Sequence, residues 1–160
     1  MAGVRIFGVD PGSAHTGYGC IETDASRHRI VTCGALSPPA KASFPEKLQA
    51  IHDELAKVLR ECEPDAVAIE DLFYSRNVRS ALKLGHVRGV VMLAAAEAGL
   101  PVTEYAPAAV KRAVVGYGGA EKQQVQQMVA LLLGLTEPPD TFDAADALGV
   151  AICHAHTIRP

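Results

Sequence analysis

Four acidic residues stand in apolar surroundings that give them no obvious place in water. Asp10 closes the run VRIFGV and precedes a turn rich in glycine, Glu70 closes DAVAI, and Asp143 and Asp146 lie inside the otherwise apolar FDAADALGVAICHA. The last two are three residues apart, a spacing that puts both on one helical face. Brought together, such acids would raise one another's pKa values and repel by several kcal/mol. Hard divalent cations relieve that repulsion and prefer oxygen ligands. Two such ions roughly 3.5 to 4 Å apart can activate a water and stabilise the leaving oxygen of an in-line phosphoryl displacement. Taken singly, the acids have plainer explanations: Asp143 as a first-turn charge favoured by the helix dipole, Asp10 as a cap on the turn at Gly12 and Ser13. Those explanations leave open why two buried strands and an apolar helix each end or begin in acids. Asp71, beside Glu70, points to the opposite strand face and reads as a spare rather than a ligand.

The elements that must position these acids follow from the hydrophobic pattern. VRIFGVD, TGYGCIETD and RIVTCGALS, with a turn at ASRH, read as an antiparallel three-stranded meander. Ser43 and Glu46 have capping-box spacing and open an amphipathic helix marked by Phe44, Leu48, Ile51, Leu55, Val58 and Cys62, closed by Pro64. DAVAIED is too short and too β-branched for a helix and reads as a buried strand. From Asn77 to Ala98 a helical pattern is apolar over a wide arc that includes Leu82, Val87, Val91 and Leu93, which predicts burial from more than one side. Gly85 and Gly89 on it would admit either the sheet or a partner subunit. VTEYA is a fifth strand, Pro107 suits a first helical turn, and Val125, Met128, Val129, Leu132 and Leu133 mark another helix. The last helix runs from about Phe142 to His156, capped by Asp140 or Thr141. The order βββαβαβαα predicts an α/β fold: a five-stranded mixed sheet, three antiparallel plus two parallel strands, flanked by helices. Strands 4–10 and 65–71 would lie side by side at its centre.

A chain of 160 residues, 49% apolar, is enough for one domain with a sizeable core, and no repeat or linker divides it. Cys20, Cys33, Cys62 and Cys153 lie far apart with no C-x-x-C pair, which excludes a zinc ribbon and a dense disulfide scaffold and fits reduced thiols in the cytoplasm. No cleavable apolar leader is read at the N-terminus. The longest apolar run, Val90 to Ala96, falls well short of the roughly 20 residues that span a bilayer, so no membrane partner is expected. The net charge of -3 hides a pattern. Residues 76–122 hold seven Lys and Arg against three Asp and Glu, whereas residues 1–75 hold seven against eleven and residues 123–160 one against four. A positive strip beside a negative cluster could hold a polyanion against metal-binding carboxylates.

GVDPGSAHTGYG, AIEDLFYSRN, SALKLGHVRG, EYAPAAVKRAVVGYGGAEKQQV and DAADALGVAICHAH, in this order and spacing, resemble the RuvC family of Holliday-junction resolvases from about Val4 to His156. The resemblance implies an RNase H-like fold over a single nuclease domain, residues 1–160. It also implies a homodimer that uses magnesium or manganese, two ions per site, to nick two opposing strands of a four-way DNA junction symmetrically. Asp10, Glu70, Asp143 and Asp146 would be the metal ligands; some members carry His at the position of Asp143. Hydrolysis would be direct and leave 5′-phosphate and 3′-hydroxyl ends. A branch-migration complex of RuvA and RuvB is the implied partner.

The same resemblance places Lys111 and Lys122 near the scissile phosphate and Phe73 at the junction centre. Phe73 and Tyr74, with Arg76 and Asn77, follow Glu70 closely, where an aromatic face can stack on an unpaired base. Arg79, Lys83, Arg88 and Arg112 are further candidates for neutralising backbone phosphates. The GYGGAE loop before Lys122 is not a P-loop, because Glu121 stands where that pattern needs glycine. His154 and His156 read as core or surface histidines rather than ligands. Three rival readings remain. The opening D-x-G-S-x-x-T-G also resembles the first phosphate loop of actin-like ATPases, although only half of such a protein would be present. A ribonuclease H acting on hybrid duplexes would share fold and metals, and a junction-binding scaffold would bind without nicking.

Overall fold

Side-chain alternation along the central strands decides which face of the sheet can carry the acids. In the computed structural model, residues 3–24, 26–71 and 77–158 are described. Strands β1 (Val4–Asp10), β2 (Thr16–Thr23) and β3 (His28–Leu36) form the antiparallel meander, and β4 (Ala66–Glu70) and β5 (Val102–Tyr105) extend it in parallel, in the order β3-β2-β1-β4-β5. Helices α1 (Phe44–Cys62) and α2 (Val78–Glu97) cover one face, and α3 (Pro107–Val115), α4 (Lys122–Leu132) and α5 (Phe142–Thr157) build the other. Phe7, Val9, Val67 and Ile69 face α1 and α2; Ile6, Ile21 and Ala68 face α5. Two-residue periodicity therefore sends Asp10 and Glu70 to the α5 side and Asp71 to the α2 side. The parallel register pairs Val9 with Ile69, so the two acids end adjacent strands at the same level.

The local signals operate as their chemistry predicts. Ser43 caps α1, its hydroxyl accepting from the Glu46 N–H and donating to the Glu46 carboxylate. Thr141, rather than Asp140, caps α5 by accepting from the Ala144 N–H at 3.1 Å. One helix more is present than the order βββαβαβαα allows: residues 107–132 divide into α3 and α4 because Gly116, at φ 107, ends the first and the Glu121 capping box starts the second. The expected two-sided burial of α2 is also corrected. Val87, Val91, Ala94 and Ala95 are buried, but Val78, Leu82 and Leu93 are 72%, 61% and 55% exposed, and a Cβ on Gly85 or Gly89 would meet nothing within 4 Å. No helix among the described residues is long and apolar enough to cross a membrane, and the four cysteines are free thiols.

Helix α5 is the central feature. From Ala144 to Ala155 it is buried except at Asp146, packed between the sheet and the helix pair α3 and α4. It lies unusually close to the strands because glycines face it. A Cβ on Gly8 would stand 2.1 Å from the Ala147 carbonyl oxygen, and one on Gly17 would stand 2.0 Å from that of Asp143. Gly8 and Gly17 of the opening segment thus serve the close approach of a helix backbone, whereas a Cβ on Gly12 would meet the His15 carbonyl of the turn itself. The turn itself is closed by Thr16, whose hydroxyl donates to the Gly12 carbonyl at 2.7 Å and accepts from the Gly12 N–H at 3.2 Å.

Candidate active site

The site is built where three elements end together. Asp10 leaves the end of β1, Glu70 the end of β4, and Asp143 and Asp146 occupy the first turns of α5. Gly17 pairs with Asp10 across the β1–β2 ladder and touches the Asp143 backbone, which links the two acids through one residue. Asp10, Glu70, Asp146, Lys111 and Lys122 line a cavity of about 370 Å³, with Pro107, Val110 and Val125 among its apolar walls. That volume holds about a dozen waters, or hydrated ions together with a phosphodiester.

The charges are poorly compensated. Burial, followed by repulsion from Glu70 and Asp146, pushes the Asp10 carboxyl up to about 8. Burial also raises Glu70, while a hydrogen bond with Asp10 and the nearby Lys111 and Lys122 hold it back. Asp146 rises to about 6 through burial and Glu70, offset in part by Lys122 and Lys111. Asp143 does not line the cavity but adds to the repulsion felt by Asp10 and Asp146. Raised carboxyl pKa values are the response of carboxylates crowded together and withdrawn from water. Hard oxygen donors in this charge state suit a divalent ion. Among the described residues, however, no three His, Cys, Asp or Glu side chains are already arranged to hold one. The acids are gathered in one place without being closed on a single point.

The remaining sequence candidates divide. Lys111 on α3 and Lys122 at the start of α4 reach the cavity; Arg112, Arg79 and Lys83 are exposed and do not line it, Lys83 lying over the Phe44 ring at 5.8 Å. The Asn77 side chain caps α2, accepting from the N–H groups of Arg79 and Ser80. Phe73, Tyr74 and Arg76 lie outside the described residues. Arg88, expected as a phosphate contact, is held by protein partners at the rim of the cavity. It is buried at 7% exposure, donates to the Glu70 carbonyl, pairs with Glu104, and stands 3.3 Å from Asp71. It therefore fastens α2 to the ends of β4 and β5, and with Asp71 and Leu84 it lines the same cavity as the acids. Its signal was an arginine inside the apolar arc LGHVRGVV. His154 is buried against Tyr105, whose hydroxyl lies 2.7 Å from its Nδ1, and His156 lies 3.2 Å from His28.

A mixed sheet that delivers carboxylates from two central strands and a buried helix into one cavity defines an RNase H-like nuclease fold. The chain matches the family model of the crossover junction endodeoxyribonuclease RuvC over residues 6–154. It is 56% identical to RuvC of Koribacter versatilis over 96% of this chain and 93% of that one, and 50% identical to RuvC of Syntrophomonas wolfei over 98% and 91%. A solved structure of Thermus thermophilus RuvC in complex with Holliday junction substrate superposes with a TM-score of 0.90 at 34% identity, covering 98% of this chain and 96% of that one. The chain belongs to the RuvC family.

Proposed function

We propose that this chain, a single nuclease domain, resolves Holliday junctions in the cytoplasm as a divalent-metal-dependent endonuclease, cutting two opposing strands symmetrically during recombination and repair. The observation that carries the reading is the meeting of Asp10, Glu70, Asp146, Lys111 and Lys122 in one cavity of a chain with this family membership. Asp10, Glu70, Asp143 and Asp146 are the residues that would hold two Mg²⁺ or Mn²⁺ ions. When bound, these ions supply Lewis acidity for water activation and charge neutralisation at the leaving oxygen. Lys111 and Lys122 line the same cavity and would neutralise the scissile phosphate. Arg79, Lys83 and Arg112, with Tyr74, Arg76 and Asn77, extend the interface along the DNA backbone, and Phe73 stacks on an unpaired base at the junction centre. The direct test is incubation with a synthetic mobile four-way junction, with and without each metal, mapping both nicks. Paired nicks bearing 5′-phosphates support the reading; cleavage of an RNA–DNA hybrid in preference to the junction would replace it.

The protonation of the acids makes metal binding measurable without cleavage. A carboxyl whose folded pKa is raised keeps a proton that the unfolded chain has released, so its contribution to stability is present below about pH 4 and is lost as pH rises toward about 8. Metal-free protein is therefore expected to lose stability across that window, with Asp10 and Asp146 both contributing in this direction. Added Mg²⁺ or Mn²⁺ should raise the Tm more at about pH 8.5 than at about pH 5. An equal shift at both values would count against carboxylate ligation.

The uncovered side of α2 fits a second copy of the chain. Val78, Leu82 and Leu93 are exposed on it, and Gly85 and Gly89 leave room for another helix to approach. A homodimer through this helix would set two cavities against the two opposing strands. Leu82→Arg is expected to yield monomers at micromolar concentration in sedimentation analysis and to uncouple the paired nicks. A Leu82→Arg protein that remains dimeric would place the interface elsewhere. RuvA and RuvB are the expected partners in branch migration, which a pull-down on junction DNA would examine.

A further inference from the structure

Lys122 has a neighbour that neither the acid constellation nor the family comparison accounts for. The backbone at the start of α4 is fixed by reciprocal capping: Gln124 accepts from the Glu121 N–H at 2.8 Å and from the Tyr117 hydroxyl at 2.9 Å. That fixes where the Lys122 side chain begins, not where its ammonium ends. A four-carbon stem carries considerable rotamer freedom. Among the described residues Lys122 forms no ion pair; its Nζ lies over the ring of Phe142, 5.9 Å from the centroid. Phe142 is the first residue of α5 and stands beside Asp143. It is 45% exposed, so the core does not require it, and the cap of α5 is made by Thr141 without it. An aromatic face presented to an ammonium within about 6 Å attracts it through the ring quadrupole.

We propose that Phe142 is a positioning residue, whose ring face holds the Lys122 ammonium over the cavity and ties the start of α4 to the helix that bears Asp143 and Asp146. The inference rests on the proposed role of Lys122 at the scissile phosphate and adds the group that aims it. The pairing of an exposed ring with an ammonium is worth about two- to five-fold.

The test is a double-mutant cycle. Phe142→Leu and Phe142→Tyr are made with Lys122 present and with Lys122→Ala, and each protein is measured for junction Kd, Tm and single-turnover cleavage rate. Phe142→Leu is expected to slow cleavage about two- to five-fold, with the Tm lowered by no more than a few degrees and the Kd altered less than two-fold, and Phe142→Tyr to restore most of the rate. In the Lys122→Ala background, Phe142→Leu should cost nothing further. Equal losses on both backgrounds, or a tyrosine variant as slow as the leucine one, would overturn the pairing and leave the role of Lys122 standing. Wild-type cleavage by Lys122→Ala alone would overturn the role of Lys122 and the pairing together, while junction cleavage by the unaltered protein would still support the nuclease reading.

Discussion

Asp10→Asn is expected to reduce junction cleavage by at least about a thousand-fold while leaving junction binding within about two-fold of the unaltered protein. The amide keeps the shape of the carboxyl and removes its negative charge, so the cluster loses a ligand but no packing. The same change relieves the repulsion that Glu70 and Asp146 impose on Asp10. In metal-free protein the variant should therefore melt at a similar temperature to its parent near about pH 4 and progressively higher as pH rises, with the full difference reached at about pH 8. A loss of activity accompanied by a gain in stability separates a ligand from a structural acid. Full cleavage by Asp10→Asn would falsify the assignment of the site.

Gly17→Ala is expected to lower cleavage by about a hundred-fold although residue 17 bears no reactive group. The added Cβ would fall 2.0 Å from the Asp143 carbonyl oxygen, a distance that no real contact tolerates, and the obstacle is backbone rather than a side chain that can swing away. The start of α5 must then retreat from the sheet by about 1 Å, a misplacement that costs about two orders of magnitude at a catalytic group. Overpacking at such a position also costs about 1 to 3 kcal/mol. A lowered Tm together with the lost rate is the expected pair of readings. A Gly17→Ala protein that cuts and melts like its parent would mean that the close contact between β2 and α5 does not set the geometry of the site.

The parts of the site that depend on local periodicity were legible in the sequence. Asp10 and Glu70 end two apolar strands, the two-residue repeat puts them on one face, and the three-residue spacing of Asp143 and Asp146 fits one helical face. What depends on two distant segments meeting was not legible. The role of Gly8 and Gly17 was hidden because a missing side chain does not say which neighbour uses the space; the structure gives that space to α5. The protein partners of Arg88 were hidden because Glu104 and the Glu70 carbonyl are brought to it by the parallel pairing of β4 with β5. Leu82 and Leu93 looked buried because an apolar arc does not reveal whether its cover comes from the same chain. The split between α3 and α4 was written in Gly116 and Glu121, but the helical pattern on either side masked it.

The late position of α5 in the chain has a consequence for biosynthesis. The two strands that carry Asp10 and Glu70 are translated well before the helix that supplies the other two acids, and more than a hundred residues separate β1 from α5. A nascent sheet would keep one oily face uncovered until α5 docks, and on the proposed assignment the site would lack two of its four acids until then. Such an order of assembly delays folding through its long-range contacts, and on that assignment an unfinished polypeptide would lack the acids of α5.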